Sequence, residues 1–341
     1  MRGLMAMPSI TNGGWVHSTA FRLWLLSAAG VLATALTAWS AARSPTFVDP
    51  VALAVWRSVI IAAYWAVGVY TWWRRPESRL GRVITTLAVL YAGQALVGSP
   101  VALVYTLGMV VWAASIVYTA YLFLCFPAGR LESALERWFI RIYWLSTAIV
   151  WTLILAIAPA LPAGGSFVSC GTRCPRNALQ IVDGHAATGA ALSTIFQILF
   201  TVALIGVATL IVSKARSSAA ARRRAIVPLA VAFLADIVQF VVALFLLPSY
   251  PGTAGALKVA DGVVTLAVPV AILLNSTPFK NPSGLSPFDA RLSPSGDTLW
   301  VVDDGGKSIS AFAVNGGSLT ELPSSPTALP ANSAPFGIVV L

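Results

Sequence analysis

Cys170 and Cys174, with Asp183 and His185 a short way downstream, form the densest group of redox- or ligand-capable side chains in the sequence. Three chemistries suit them: a disulfide, which needs a segment outside the cytoplasm; a pair of free thiols; or a metal site of two thiolates completed by Asp183 and His185. The gap between Cys174 and His185 matches no standard zinc spacing. The third cysteine, Cys125, reads as a packed thiol. A second group is Arg57, Asp236 and Asp261, each set in an apolar run. Ionisable residues there are costly in lipid, so they face the interior of a helix bundle or a water-filled cavity. Gln239, three residues after Asp236, shares its helix face. That pair reads as an interhelical hydrogen bond, with a proton or ligand relay as the alternative. Arg57 and Asp261 enter from one side of the membrane, about 9 and 6 Å deep at ~1.5 Å per residue. They are a candidate intramembrane charge pair, the alternative being that each reaches the interface separately.

The elements that must hold these groups are helices in lipid. Residues are 57% hydrophobic and 10% charged, with a mean hydropathy of +0.81, more than a water-soluble core absorbs. The net charge of +10 comes from basic residues that punctuate apolar runs and form no single stripe, so it signals topology and no nucleic-acid partner. Apolar runs of spanning length lie at about 23–42, 51–73, 83–98, 101–125, 138–160, 186–213, 226–247 and 257–275. The links between them alternate in basic content. One set carries Arg74, Arg75, Arg79 and Arg82, then Arg130, Arg137 and Arg141, then Lys214, Arg216, Arg222, Arg223 and Arg224; the other carries only Arg43, Arg173, Arg176 and Lys258. The basic set is cytoplasmic. The sequence therefore predicts an all-α membrane protein: an eight-helix transmembrane bundle with both termini cytoplasmic and Cys170 outside.

Three cytoplasmic loops carry a family likeness. The run RRPESRLG at 74–81 (Arg74, Arg75, Pro76, Arg79, Gly81), FPAGRLES at 126–133 (Pro127, Gly129, Arg130) and AAARRRAIVPLA at 219–230 (Arg222, Arg223, Arg224) resemble, in order and spacing, the multi-pass membrane sensor region of bacterial sensor histidine kinases. CPRNAL at 174–179, with Cys170 upstream, is similar to that group's paired-cysteine outer segment. The likeness spans about 20–275. It implies a sensory input module in a bacterial inner membrane, acting as a homodimer or through a separate kinase. The phospho-accepting histidine and ATP-binding domain of such kinases are not expected here, because the only histidines, His17 and His185, precede the last span. Physically, Phe126-Pro127 stops a helix at the interface, and Gly129-Arg130 turns the chain with a charge in the headgroup region.

After Asn275 the chain changes character: residues 1–275 hold 19 Lys and Arg against 7 Asp and Glu, whereas 276–341 hold 3 against 5. Turn signals at SPSGD (293–297) and NGG (315–317) separate strands near 288–292, 298–303, 308–314 and 319–322. This tail resembles one repeat of the lactonase-type β-propellers related to phosphogluconolactonase. Such a short C-terminal β segment of about one propeller blade closes no ring, so its edges and apolar face are expected to lack neighbours. The organisation read from sequence is a cytoplasmic tail at 1–22, the membrane domain at 23–275, a linker at 276–283 and the β segment at 284–341. A non-catalytic signal-input module without cofactor, embedded in the lipid bilayer, is the leading reading. A membrane-anchored lactonase fragment is the second, although the tail offers only scattered acids and Arg291. A small-molecule transporter, with repeats and broken helices, is the third.

Overall fold

The computed structural model describes residues 13–47, 49–74, 79–162, 170, 173–217, 226–235, 237–238, 254–276, 287–303, 307–315 and 318–330. Asp236, Gln239, Arg75, Pro76, Arg222, Arg223 and Arg224 lie outside them, as does most of the linker at 276–283. The chain divides near Leu273 into a helical unit and a β unit.

Helices form in every apolar run: α1 (Gly13–Ala42), α2 (Pro50–Arg74), α3 (Leu80–Gly93), α4 (Ala102–Cys125), α5 (Ala134–Ile157), α6 (Ala186–Ser217), α7 (Ile226–Ala235) and α8 (Ala254–Ser276). Among the described residues six segments are long and apolar enough to cross a membrane: Leu23–Ala42, α2, Leu80–Gly98, α4, α5 and α6. Helix α7 and the apolar stretch Val259–Leu273 of α8 are shorter. The surface suits lipid, since Val31, Leu145, Val202 and Val263 all point outward while the interior holds the few polar groups.

Local chemistry sets the boundaries. Pro50 starts α2, where its missing N–H and fixed φ are harmless. Helix α5 begins at Ala134, four residues before the hydropathy edge at Trp138. There Ser133 Oγ accepts from Glu136 N at 3.0 Å while Glu136 Oε2 accepts from Ser133 N at 3.2 Å, a reciprocal cap. Helix α1 begins at Gly13, inside the segment read as a tail. Helix α3 tightens to a 3-10 turn at Gln94–Gly98 before reversing into α4. Gly81 lets α3 lie on α2: a Cβ there would sit 2.5 Å from Trp72 N.

Two apolar clusters fill the helical unit. One, around Ile61, Ile84, Leu87, Leu122 and Val207, is nearer the Arg130 end. The other, around Phe47, Val97, Met109, Trp151 and Phe196, includes Cys170 at the opposite end.

In the β unit, β1 (Pro287–Leu292), β2 (Thr298–Asp303), β3 (Ser308–Asn315) and β4 (Ser318–Glu321) form an antiparallel sheet in chain order, and β5 (Thr327–Ala328) pairs with β3. The strands fall where the turn residues place them. Gly296 takes φ +78 in the first turn. Asp297 accepts from Ser293 Oγ and Ser295 Oγ, both at 2.8 Å, and from Thr298 Oγ1. The Ser295, Ser293 and Thr298 bonds hold its carboxyl below the usual carboxylate range. The expectation of a bare apolar face is corrected at β2, whereas β1 keeps an outer edge with no strand beside it among the described residues. Residues 322–329 run back along β3, with Leu322 N donating to Ala311 O at 2.9 Å and Leu329 N to Lys307 O at 2.7 Å. Val301 and Val302, on opposite faces of β2, are both buried.

Candidate functional site

A half-open cavity of about 190 Å³ lies among the helices of the helical unit. Seven helices reach it, from Ile60 and Ile61 on α2 to Thr265 on α8, and its walls are mostly apolar, with Trp112, Leu204 and Phe233 among them. Trp112 packs edge-on against Trp151 and Phe196, with ring centroids 6.1 and 6.0 Å away.

Arg57 and Asp261 both line this cavity. Arg57 sits about 10 Å along α2 from Pro50 and is 3% exposed. Among the described residues its Nη1 and Nη2 have no hydrogen-bond partner. The structure thus brings the sequence-derived pair to one cavity, without a hydrogen bond from either terminal nitrogen of Arg57 to Asp261. The guanidinium carbon lies 5.4 Å from the ring centre of Phe47, in the α1–α2 link. A buried cation–π contact is worth about 2 kcal/mol, against about 2.5 to 3.5 kcal/mol for an arginine at helix depth. The two are of similar size, and the cation–π contact leaves the Nη1 and Nη2 donors unused. Phe47 is fixed in place because Ser44 Oγ and Thr46 Oγ1 donate to Gly98 O, at 2.7 and 3.3 Å.

Three other polar side chains of the wall are tied to one another or to α4 carbonyls, while Tyr91 and Tyr143, each with a hydroxyl, also line it. Gln94 Nε2 donates to Ser115 Oγ at 2.7 Å, Ser115 Oγ to Trp112 O at 2.7 Å, and Thr119 Oγ1 to Ser115 O at 2.8 Å. Gln94 stands at the first residue of the 3-10 turn.

At the Cys170 end, Cys170 and Cys174 are joined by a disulfide with Cα atoms 5.1 Å apart. The metal alternative with Asp183 and His185 finds no support: among the described residues no three His, Cys, Asp or Glu side chains converge, and His185 Nδ1 instead lies 2.8 Å from Asp183 O. Sequence reasoning named CPRNAL but missed its working residue. Buried Asn177 donates from Nδ2 to Leu155 O and Ala158 O, both at 2.8 Å, and its Oδ1 accepts from Leu179 N at 3.0 Å. It satisfies the last carbonyls of α5, which have no partner within the helix. Asn177→Ala should therefore lower stability by about 2 kcal/mol. Asn177→Asp should be no better, because a carboxylate cannot donate. Detergent unfolding curves of the two variants check this, and wild-type stability in the Asp variant would show that donation to α5 is irrelevant.

At the opposite end Lys214, grouped by sequence with the topology charges, is mostly buried, its side chain 10% exposed. Its Nζ donates to Leu124 O at 2.7 Å and pairs with Glu136 at 3.3 Å and Glu132 at 3.5 Å. One side chain thereby ties the ends of α4 and α6 to the start of α5. The S-x-x-E spacing of Ser133 and Glu136 was the available signal. Two family-like loops also meet here: Gly129, at φ +70, lies against Leu80 so closely that a Cβ would be 2.5 Å from Leu80 N. Pro127 and Gly129 fall in the turn after α4, with Arg130 next to it, while Gly81 lies in the first turn of α3.

In the β unit the acids are scattered: Asp289 pairs with Arg291 at 3.7 Å, and Asp303 accepts from Ser310 Oγ at 2.8 Å. Compared with known proteins, the chain matches no protein-family model, no curated protein and no solved structure.

Proposed function

We propose that this chain is a sensory input module of a bacterial inner membrane: eight spans, both termini cytoplasmic, a ligand cavity around Arg57, and output through the α4–α6 junction to a second copy or a separate kinase. The observation that carries the reading is the cavity, a largely apolar chamber holding one buried cation with unused donors. Its wall helices α4, α5 and α6 are the same three that Lys214 ties together, so a change in their packing has a defined place to appear. The likeness of the four loop motifs to kinase sensor regions supplies the sensory assignment. In this reading the sheet is one lactonase-type blade without a catalytic role.

A transport reading is favoured by a separate observation, irregularity in two cavity helices: the 3-10 turn from Gln94 and the proline Pro269 inside the continuous helix α8. One experiment separates the two. Spin labels are placed at Leu135→Cys on α5 and Ser213→Cys on α6, both exposed positions, and benzoate, benzyl alcohol and benzylamine are tested for binding to protein in nanodiscs. A sensor shifts the label distance with whichever compound binds and carries none of it into proteoliposomes. Binding without a shift, or accumulation of the compound inside, would overturn the sensory reading. Reporter fusions after Arg82, Leu131 and Arg224 should be cytoplasmic and one at Thr172 external.

A further inference from the structure

We infer that the cavity beside Arg57 binds a small monocarboxylate with a compact apolar body, the carboxylate on the guanidinium and the body against the apolar wall. The inference rests on reading the cavity as a ligand site, and is independent of whether binding is transmitted.

Charge comes first. Arg57 is 3% exposed, and its two terminal nitrogens, Nη1 and Nη2, have no partner among the described residues. A guanidinium presents these donors in a planar fork that matches two carboxylate oxygens, and in a site of low dielectric such a bidentate pair is the strongest use of them. Asp261, which also lines the cavity, has interactions of its own.

The remaining wall narrows the chemistry. Gln94, Ser115 and Thr119 direct donors at one another and at α4 carbonyls, and Tyr91 OH lies 3.4 Å from Thr119 Oγ1, so a sugar or other polyhydroxyl ligand would find the hydroxyls of Tyr143 and Thr265 and few other unspent groups. The rest of the surface is Ile60, Trp112, Leu204 and their apolar neighbours. A bare inorganic anion would leave that surface uncovered. Size then sets the body. About 190 Å³ modestly exceeds the roughly 150 Å³ that admits benzene to an apolar protein cavity. It is well below the ~300 to 1,000 Å³ of drug-sized pockets. The ligand is of benzoate's bulk, a dissolved acid and not a lipid's long acyl chain.

The test is calorimetric titration of the full chain in lipid nanodiscs at pH 7 and constant ionic strength. The ligands are benzoate, benzyl alcohol, decanoate and chloride. Benzoate should saturate and bind at least about tenfold more tightly than benzyl alcohol or decanoate, and chloride should not displace it. Arg57→Gln should lower benzoate affinity by about tenfold or more, with Arg57→Lys intermediate, since an ammonium keeps the charge and loses the fork. Equal binding of benzyl alcohol, tighter binding of decanoate, displacement by chloride, or unchanged affinity in Arg57→Gln would each overturn the assignment. If the Arg57 variants do not fold, the four ligands on the wild-type protein still decide. Benzyl alcohol binding as well as benzoate while shifting the label distance would refute this inference and leave the sensory reading standing. Selective benzoate binding with no shift would do the reverse.

Discussion

Lys214→Met should destabilise the helical unit by about 3 to 5 kcal/mol, because it strands the buried carboxylate of Glu136 without its cation. The Lys214 and Glu136 side chains are only 10% and 7% exposed, so solvent cannot take over the lysine's role as it does for surface ion pairs. The substitution also removes the donor to Leu124 O at the end of α4. The double variant Lys214→Met with Glu136→Gln should be more stable than Lys214→Met alone: the glutamine keeps the reciprocal cap on α5 and leaves no unpaired charge. Unfolding titrations of the refolded protein in bicelles measure both. A loss under about 1 kcal/mol for Lys214→Met, or no recovery in the double variant, would mean that the junction of α4, α5 and α6 is held by packing alone.

Gly129→Ala should cost about 2 to 5 kcal/mol through two separable effects. The residue has φ +70, and a left-handed backbone costs a non-glycine residue roughly 1 to 2 kcal/mol. A Cβ would also lie 2.5 Å from Leu80 N and 3.1 Å from Leu80 Cα. Backbone atoms cannot swing aside like a flexible side chain, so the turn and the start of α3 must part, at about 1 to 3 kcal/mol. Gly184→Ala is the internal control, having φ +79 and nothing within 4 Å of the added carbon. It should show the conformational part alone. Equal losses at the two positions would show that the close approach of the 126–133 loop to the 74–81 loop contributes nothing to stability.

These loops were legible as sequence motifs, but their mutual contact was not. RRPESRLG and FPAGRLES are separated by two helices, and only the reversal of α3 into α4 lays Gly129 on Leu80. Lys214 was legible as a charge at the end of an apolar run, and the sequence alone could not distinguish a solvated topology signal from a buried tie. The distinction depends on Glu136 of a different helix. Asn177 was legible as part of a motif, yet its role depends on the last carbonyls of α5, some twenty residues upstream.

From the sequence alone followed the apolar runs in which the described helices form, though not their first residues at Gly13 and Ala134, because spanning requires a local run of apolar residues whose backbone bonds close within the segment. The first four strands of the β unit followed for a similar reason, since the turn residues at 293–297 and 315–317 act on their immediate neighbours, whereas β5 did not. The sequence also marked Arg57 and Asp261 as residues that lipid would not tolerate facing outward. Only the tertiary structure decided that both line one cavity, that Phe47 covers the guanidinium, and that Gln94 donates to Ser115. These facts depend on which faces of distant helices converge, as where Tyr64 OH reaches Thr265 O across 201 positions of sequence. Hydropathy sums over one helix at a time, whereas convergence is fixed by the packing of small residues and side-chain volumes between helices.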